Sequence, residues 1–224
     1  MSAMPIRGLL FDLDGTLAVT DPLHFQAWRA TLLEHDVTLD EAGYQARVCG
    51  RQNPAIVRGF LPALPDAEAQ ALIARKEARF RAAATALTPL PGLGALLDLA
   101  RARGLHLGLV TNAPRDNATH MLAALGLTDA FASIVLGDEV AIGKPDPTPY
   151  RVALETLRLA PAEAIAFEDS PSGIRSARGA GIATVGVLST HPAEELVAAG
   201  AALVVPDFAA VPLRGYLAGL GVPS

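Results

Sequence analysis

FDLDGTLAVTD, residues 11–21, is the stretch on which the reading of the whole chain turns. The apolar run Leu9–Phe11 leads into it. Two carboxylates, Asp12 and Asp14, then stand two residues apart, followed by Gly15. Like charges at the end of a buried strand are costly unless something compensates them. Asp-Gly is also a common turn pair, so a plain strand-ending turn accounts for this stretch taken alone. The two explanations separate on whether other strands of the chain end in the same way.

Further short apolar runs read as buried strands: Leu105–Val110, Ile134–Leu136, Ala164–Phe167, Thr184–Leu188 and, as a sixth strand, Ala202–Val205. From Gly92 onward they alternate with helix-like segments, which predicts a parallel sheet with helices on both faces. Arg103-Gly104, Leu125-Gly126 and Arg178-Gly179 read as helix ends closed by a left-handed glycine.

One interval does not fit simple alternation. Between Asp12 and Leu105 lies roughly three times the length of a βαβ unit. The excess, Val19 to Leu87, reads as several helices. Asp21-Pro22 reads as an N-cap followed by a first-turn proline. Thr38 and Glu41 have capping-box spacing, and Pro65-Asp66 opens a long stretch rich in Ala, Glu and Arg. Thr88–Gly92 breaks the helix pattern and returns the chain to the sheet. The predicted organisation is an α/β core, residues 1–18 and 88–224, with a helical domain, residues 19–87, inserted on two linkers.

Ligands of an open parallel sheet bind beyond the carboxyl ends of its strands. Four strand ends carry the chemistry. Asp12, Asp14, Gly15 and Thr16 follow the first strand, and Thr111 and Asn112 the second. Lys144, in GDEVAIGKPDPTPY, follows the third, and Glu168, Asp169 and Ser170 follow the fourth. Four carboxylates sharing one pocket repel one another. A hard divalent cation removes that repulsion, and an all-oxygen donor set suits Mg²⁺, which takes few protein ligands and keeps waters. Lys144 adds a fixed positive charge for phosphate oxygens, and Thr111 and Asn112 add hydrogen-bond donors.

FDLDGTL, VTNAP, GKPDP and FEDSPSG resemble, in order and spacing, the four signatures of the haloacid-dehalogenase-like superfamily of phosphotransferases. The resemblance spans nearly the whole chain, and the four together are far more specific than any one. It implies a doubly wound, Rossmann-like parallel sheet with an inserted α-helical cap. It also implies that Asp12 attacks phosphorus and carries an aspartyl-phosphate. Asp14 would ligate the metal through its backbone carbonyl, protonate the leaving oxygen and then deprotonate water. Lys144 would orient Asp12 and neutralise the phosphoryl group. Glu168 and Asp169 would hold Mg²⁺ directly or through water. Dehalogenases and phosphonate-cleaving members lack an aspartate at the Asp14 position, so the resemblance points away from both.

In the inserted domain, HFQAW sets His24 and Trp28 on one helix face. It resembles the β-phosphoglucomutase-like subgroup, in which this region meets substrate. A core tryptophan with a satisfied histidine is the plainer explanation. Arg51, in CGRQN, is a candidate for an anionic substrate group, although mutases of the subgroup carry their arginine nearer the position of Asn53. Arg115, opening the helix after Asn112, binds substrate or faces solvent. Cys49 reads as a small packing residue.

The bulk numbers bound the partners. The chain has 224 residues, of which 51% are hydrophobic and 18% charged, with a net charge of −5. That composition supports a sizeable core and gives no reason to expect a nucleic-acid or anionic-membrane partner. No segment is apolar for long enough to span a bilayer, which also argues against a transport ATPase. The single cysteine fits a reducing compartment, so a cytoplasmic location is expected; separately, a monomer is expected. The sequence thus predicts a Mg²⁺-dependent phosphatase for a small phosphorylated metabolite, such as a sugar phosphate, with the cap closing over the site on linkers near Thr16–Thr20 and Thr85–Pro91. A β-phosphoglucomutase-type phosphomutase is the alternative. A catalytically silent binding protein is a third, opposed by the intact four-part set.

Overall fold

The computed structural model describes residues 5–222. The chain forms two compact units. One comprises the chain up to Val19 together with everything from Leu87 onward, and the other comprises Thr20–Ala86.

In chain order the elements begin with β1 (Gly8–Phe11). Four helices follow in the inserted unit: α1 (Asp21–Leu33), α2 (Glu41–Arg47), α3 (Asn53–Phe60) and α4 (Asp66–Ala83). The larger unit then resumes with α5 (Leu93–Ala102), β2 (His106–Thr111), α6 (Arg115–Ala124) and β3 (Ser133–Leu136). It continues through α7 (Thr148–Leu157), β4 (Ala164–Glu168), α8 (Pro171–Gly179) and β5 (Ala183–Val187), and closes with α9 (Ala193–Ala199), β6 (Leu203–Val205) and α10 (Val211–Gly219).

All six predicted strands are present, and they form one sheet in the order β3-β2-β1-β4-β5-β6 with every pairing parallel. The strand order reverses between β1 and β4. That switch point opens a crevice at the carboxyl ends of the two strands, where ligands of doubly wound sheets bind. All four residues of β1 are buried. Alternate side chains take opposite faces. Leu10 joins Val110, Tyr150, Leu154 and Ala177 in the layer against α7 and α8. Phe11 turns the other way and stacks on its register partner Phe167, ring centroids 4.9 Å apart. Strands buried on both faces read as unbroken apolar runs, which is why the sequence marks them clearly.

The two chain segments flanking the inserted unit run side by side. Ala18 bridges Pro89 in antiparallel fashion, and Leu90 N–H donates to the Leu17 carbonyl at 2.9 Å. Taken by itself, the helical unit has its own core, with Trp28, Leu32, Tyr44, Ile56 and Leu72 buried together. Trp28 is therefore a core residue of that unit.

Three cap expectations are corrected. Thr20, not Asp21, is the N-cap of α1, and Asp21 is its first helical residue. The Asp21 carboxylate instead accepts from the Tyr44 hydroxyl at 3.0 Å. The cap of α2 is Asp40, which accepts from Gly43 N–H at 2.7 Å, so Thr38 and Glu41 do not form the capping box. Gly179 is the last residue of α8, and the left-handed residue is Gly181, with φ +84°. In each case two polar or glycine residues near a helix end compete for one role, and spacing alone does not choose between them. Gly104 and Gly126 do take the left-handed conformation.

Among the described residues, no helix is long and apolar enough to cross a membrane.

Candidate active site

Asp12 follows β1 directly, and its N–H is still held by the sheet, donating to the Phe167 carbonyl at 3.0 Å. β1 and β4 are adjacent and in register, so Asp12 and Glu168, the last residue of β4, lie side by side. Lys144 comes from the loop between β3 and α7. Its ammonium donates to Asp12 Oδ1 at 2.6 Å, to Glu168 Oε1 at 2.5 Å and to the Val110 carbonyl at 2.7 Å. All three side chains are buried. Four distant parts of the chain therefore converge at the switch point.

Lys144 is delivered there by Asn112. The Asn112 side-chain amide donates to the Lys144 carbonyl at 3.2 Å, and its oxygen accepts the Lys144 N–H at 3.0 Å. Thr111 is buried, and its hydroxyl accepts from Ala113 N–H at 3.0 Å. Both side chains expected to contact substrate are thus bonded to backbone, shaping the loops around the ammonium.

Two further residues complete this network without having been foreseen. The buried Tyr150, on α7, donates its hydroxyl to Glu168 Oε1 at 2.8 Å, with its ring centroid 5.3 Å from the Lys144 ammonium. In sequence it reads only as a core aromatic. Gly173, in the first turn of α8, has no room for a side chain, because a Cβ there would lie 1.9 Å from the Glu168 carboxyl carbon. The helix passes that close to Glu168 only because this residue is glycine.

Burial and charge set the protonation. Burial pushes the Asp12 carboxyl up to about 7, against the opposing pull of Lys144. Burial also disfavours the Lys144 ammonium, but the carboxylates of Asp12 and Glu168 outweigh it and raise the Lys144 pKa above the usual lysine range. The Tyr150 hydroxyl is pushed well above its ordinary value by burial and by Glu168. Removing the ammonium would leave two buried carboxylates facing each other. Lys144→Met is therefore expected to destabilise the metal-free protein by about 3–5 kcal/mol, a drop of roughly 10 °C in melting temperature. Thermal melts of wild type and variant in EDTA check this.

The site fits a cation. Oxygens of Asp12, Glu168 and Asp169 lie within 4.8 Å of one another, and all three residues are buried. Three carboxylates against the one Lys144 ammonium leave an excess of two negative charges when all are ionised, and the donors are hard oxygens. Thr16, on the turn that carries half-buried Asp14, has a buried hydroxyl with no hydrogen-bond partner.

The remaining candidates have partners of their own. Arg115, at the start of α6, is exposed and paired with Glu139. Arg51, in the helical unit, is exposed and donates to the Ala46 carbonyl at 3.2 Å. His24 belongs to a polar cluster inside that unit. Its Nδ1 lies 2.8 Å from the Lys76 ammonium, and its ring stacks on Phe80 at 3.9 Å. Lys76 donates to Glu77 Oε1 at 2.9 Å, which also accepts from the Asn53 amide at 2.7 Å. Lys76 is only 2% exposed. The sequence hides this cluster, because Lys76 and Glu77 sit in a run of charges that reads as a solvated helix face.

A family model described as haloacid dehalogenase-like hydrolase matches residues 6–181. The chain belongs to that family. Among its relatives, phosphoglycolate phosphatase of Rhodospirillum rubrum is 37% identical over 92% of this chain and 89% of its own length. The β-phosphoglucomutase of Bacillus subtilis is 32% identical over 84% of this chain and 85% of its own. Among solved structures, a mutant CbbY from Rhodobacter sphaeroides in complex with xylulose-1,5-bisphosphate superposes with a TM-score of 0.83 at 29% identity, covering 91% of this chain and 95% of that one. This family member is thus an enzyme that stands among phosphatases and phosphomutases, as the four signatures implied.

Proposed function

We propose that this hydrolase is a Mg²⁺-dependent phosphatase that hydrolyses a small phosphorylated metabolite, of the sugar-phosphate class, through an aspartyl-phosphate on Asp12. The observation that carries the reading is the Lys144 ammonium bound at once to Asp12 and Glu168 within a three-carboxylate cluster. Asp12, Asp169 and Glu168, with the Asp14 backbone carbonyl, would hold the cation, which when bound supplies positive charge to the phosphoryl oxygens.

The chain's own residues do the rest. An Asp12 oxygen bonds to phosphorus as the bond to the leaving oxygen breaks, and Asp14 gives that oxygen its proton. Water then attacks the phosphorus of the acyl phosphate and gives a proton to Asp14, so that inorganic phosphate and free Asp12 are restored. Lys144 keeps Asp12 in place and offsets charge throughout. Alignment and electrostatic stabilisation account for most of such catalysis. Thr111, Asn112, Arg115, His24 and Arg51 are assigned to substrate in this proposal. For Arg115, His24 and Arg51, alanine variants should change KM more than kcat.

The test is phosphate release from phosphoglycolate, hexose and hexitol phosphates and xylulose-1,5-bisphosphate. Turnover of at least one ester is expected, lost in EDTA and restored by Mg²⁺. Silence across the panel with Mg²⁺ bound would contradict the reading. A phosphomutase is the second reading, supported by the β-phosphoglucomutase relative. It predicts an isomeric sugar phosphate as product and dependence on a bisphosphate activator, in place of phosphate release.

A further inference from the structure

The loop after β5 carries no charge to the site, yet it grips the turn on which Asp14 stands. Ser189 Oγ donates to the Gly15 carbonyl at 2.5 Å across 174 positions of sequence. The next residue, Thr190, reaches the same place. A Cβ on Gly15 would lie 2.7 Å from Thr190 Oγ1 and 2.0 Å from Asp169 Oδ2. Gly15, Asp169 and the Ser189-Thr190 pair therefore form one packed contact.

Gly15 needs such a hold. Its φ is +75°, and glycine has the widest backbone freedom of any residue. Two peptide planes meet at it. The Asp14–Gly15 plane is fixed through Gly15 N–H, which donates to the Ala18 carbonyl at 2.9 Å. In a planar trans peptide the carbonyl lies opposite the N–H, so the Asp14 carbonyl is aimed away from Ala18. The Gly15–Thr16 plane has a long bond on its N–H side, Thr16 N–H to the Leu13 carbonyl at 3.3 Å. Its short bond is the one from Ser189. That hydroxyl stands on a firm base, because Ser189 N–H donates to the Val187 carbonyl at 3.0 Å and Leu188 N–H to the Val205 carbonyl at 2.9 Å. The grip thus runs from β6 through the loop into the Asp14 turn.

We propose that Ser189 is a positioning residue, whose hydroxyl fixes the Gly15–Thr16 peptide plane and so steadies the turn that presents the Asp14 carbonyl, which the phosphatase reading assigns to the cation. The proposal rests on that reading for the carbonyl's partner, whereas the grip itself does not.

The test compares wild type, Ser189→Ala, Ser189→Thr and, as a remote control, Arg178→Ala, which removes a bond to the Gly200 carbonyl on another surface. Two quantities are measured: Mn²⁺ affinity by electron paramagnetic resonance, and hydrogen exchange of the segment 13–18. Ser189→Ala is expected to weaken Mn²⁺ binding by about 3- to 10-fold and to speed exchange by a similar factor, the worth of one hydrogen bond. Ser189→Thr keeps the hydroxyl and should restore both, and Arg178→Ala should change neither. Faster exchange with unaltered Mn²⁺ affinity would make Ser189 a brace of the loop and overturn the proposal, as would no change in either quantity. Wild type that binds no Mn²⁺ overturns the metal reading and this proposal together. Wild type that binds Mn²⁺ no better than Ser189→Ala overturns this proposal alone.

Discussion

Asp12→Asn is expected to abolish turnover, by about 10⁴-fold or more, while the protein still folds. The amide has nearly the carboxylate's shape, so the hydrogen bond from the Asp12 N–H to the Phe167 carbonyl of β4 and the packing of Phe11 below it are untouched. What the variant loses is the nucleophile, since an amide cannot form the acyl phosphate. It also changes the charge balance in a definite direction. Wild type sets two buried carboxylates, Asp12 and Glu168, against one ammonium, and the variant leaves Lys144 with Glu168 alone. Burial already works against charge on Asp12, raising its pKa to about 7 in the metal-free protein. The variant should therefore melt no lower than wild type in EDTA, and gain less from added Mg²⁺. Steady-state phosphate release beside thermal melts checks both halves. Residual activity within about tenfold of wild type would remove Asp12 from the nucleophile's role.

Asp14→Asn is expected to lower kcat by about 10²- to 10⁴-fold, the usual worth of a positioned general acid–base. Its backbone carbonyl survives the change, so Mg²⁺ affinity should stay within a few-fold of wild type. The two steps of the reaction should suffer unequally. A substrate with a good leaving group, such as p-nitrophenyl phosphate, needs little help in the first step. With it the variant should accumulate phosphoenzyme, because water then waits for its base. A burst of p-nitrophenol followed by slow turnover is the expected trace. Normal turnover would remove the acid–base role from Asp14.

The sheet was legible because strands buried on both faces leave no polar interruption, as in Leu9–Phe11 and Ala164–Phe167. The charged part of the site was legible for a related reason. Acidic residues and a lysine placed just where apolar runs stop are conspicuous, and the resemblance supplied their order. Residues acting through uncharged groups gave no such signal. Tyr150 looks like any core aromatic until its hydroxyl is seen on Glu168. Ser189 is one small polar residue among several after β5. Asn112 was expected on phosphate, and its side chain is bonded to the backbone of Lys144. In the helical unit even charged residues gave no signal. Lys76 and Glu77 carry charge that periodicity assigns to solvent, and their burial depends on partners, His24 and Asn53, more than twenty residues away. Spacing along one helix cannot report such pairings.

The central claim is that Asp12, held by Lys144 beside two further carboxylates, bonds covalently to phosphorus. Acid quenching of the enzyme during turnover, followed by mass spectrometric mapping of the phosphoryl group, tests it most directly. The account predicts an acid-stable, hydroxylamine-labile phosphoryl group on Asp12, more abundant in Asp14→Asn and absent from Asp12→Asn. A phosphoryl group found on another residue, or full turnover by Asp12→Asn, would contradict it.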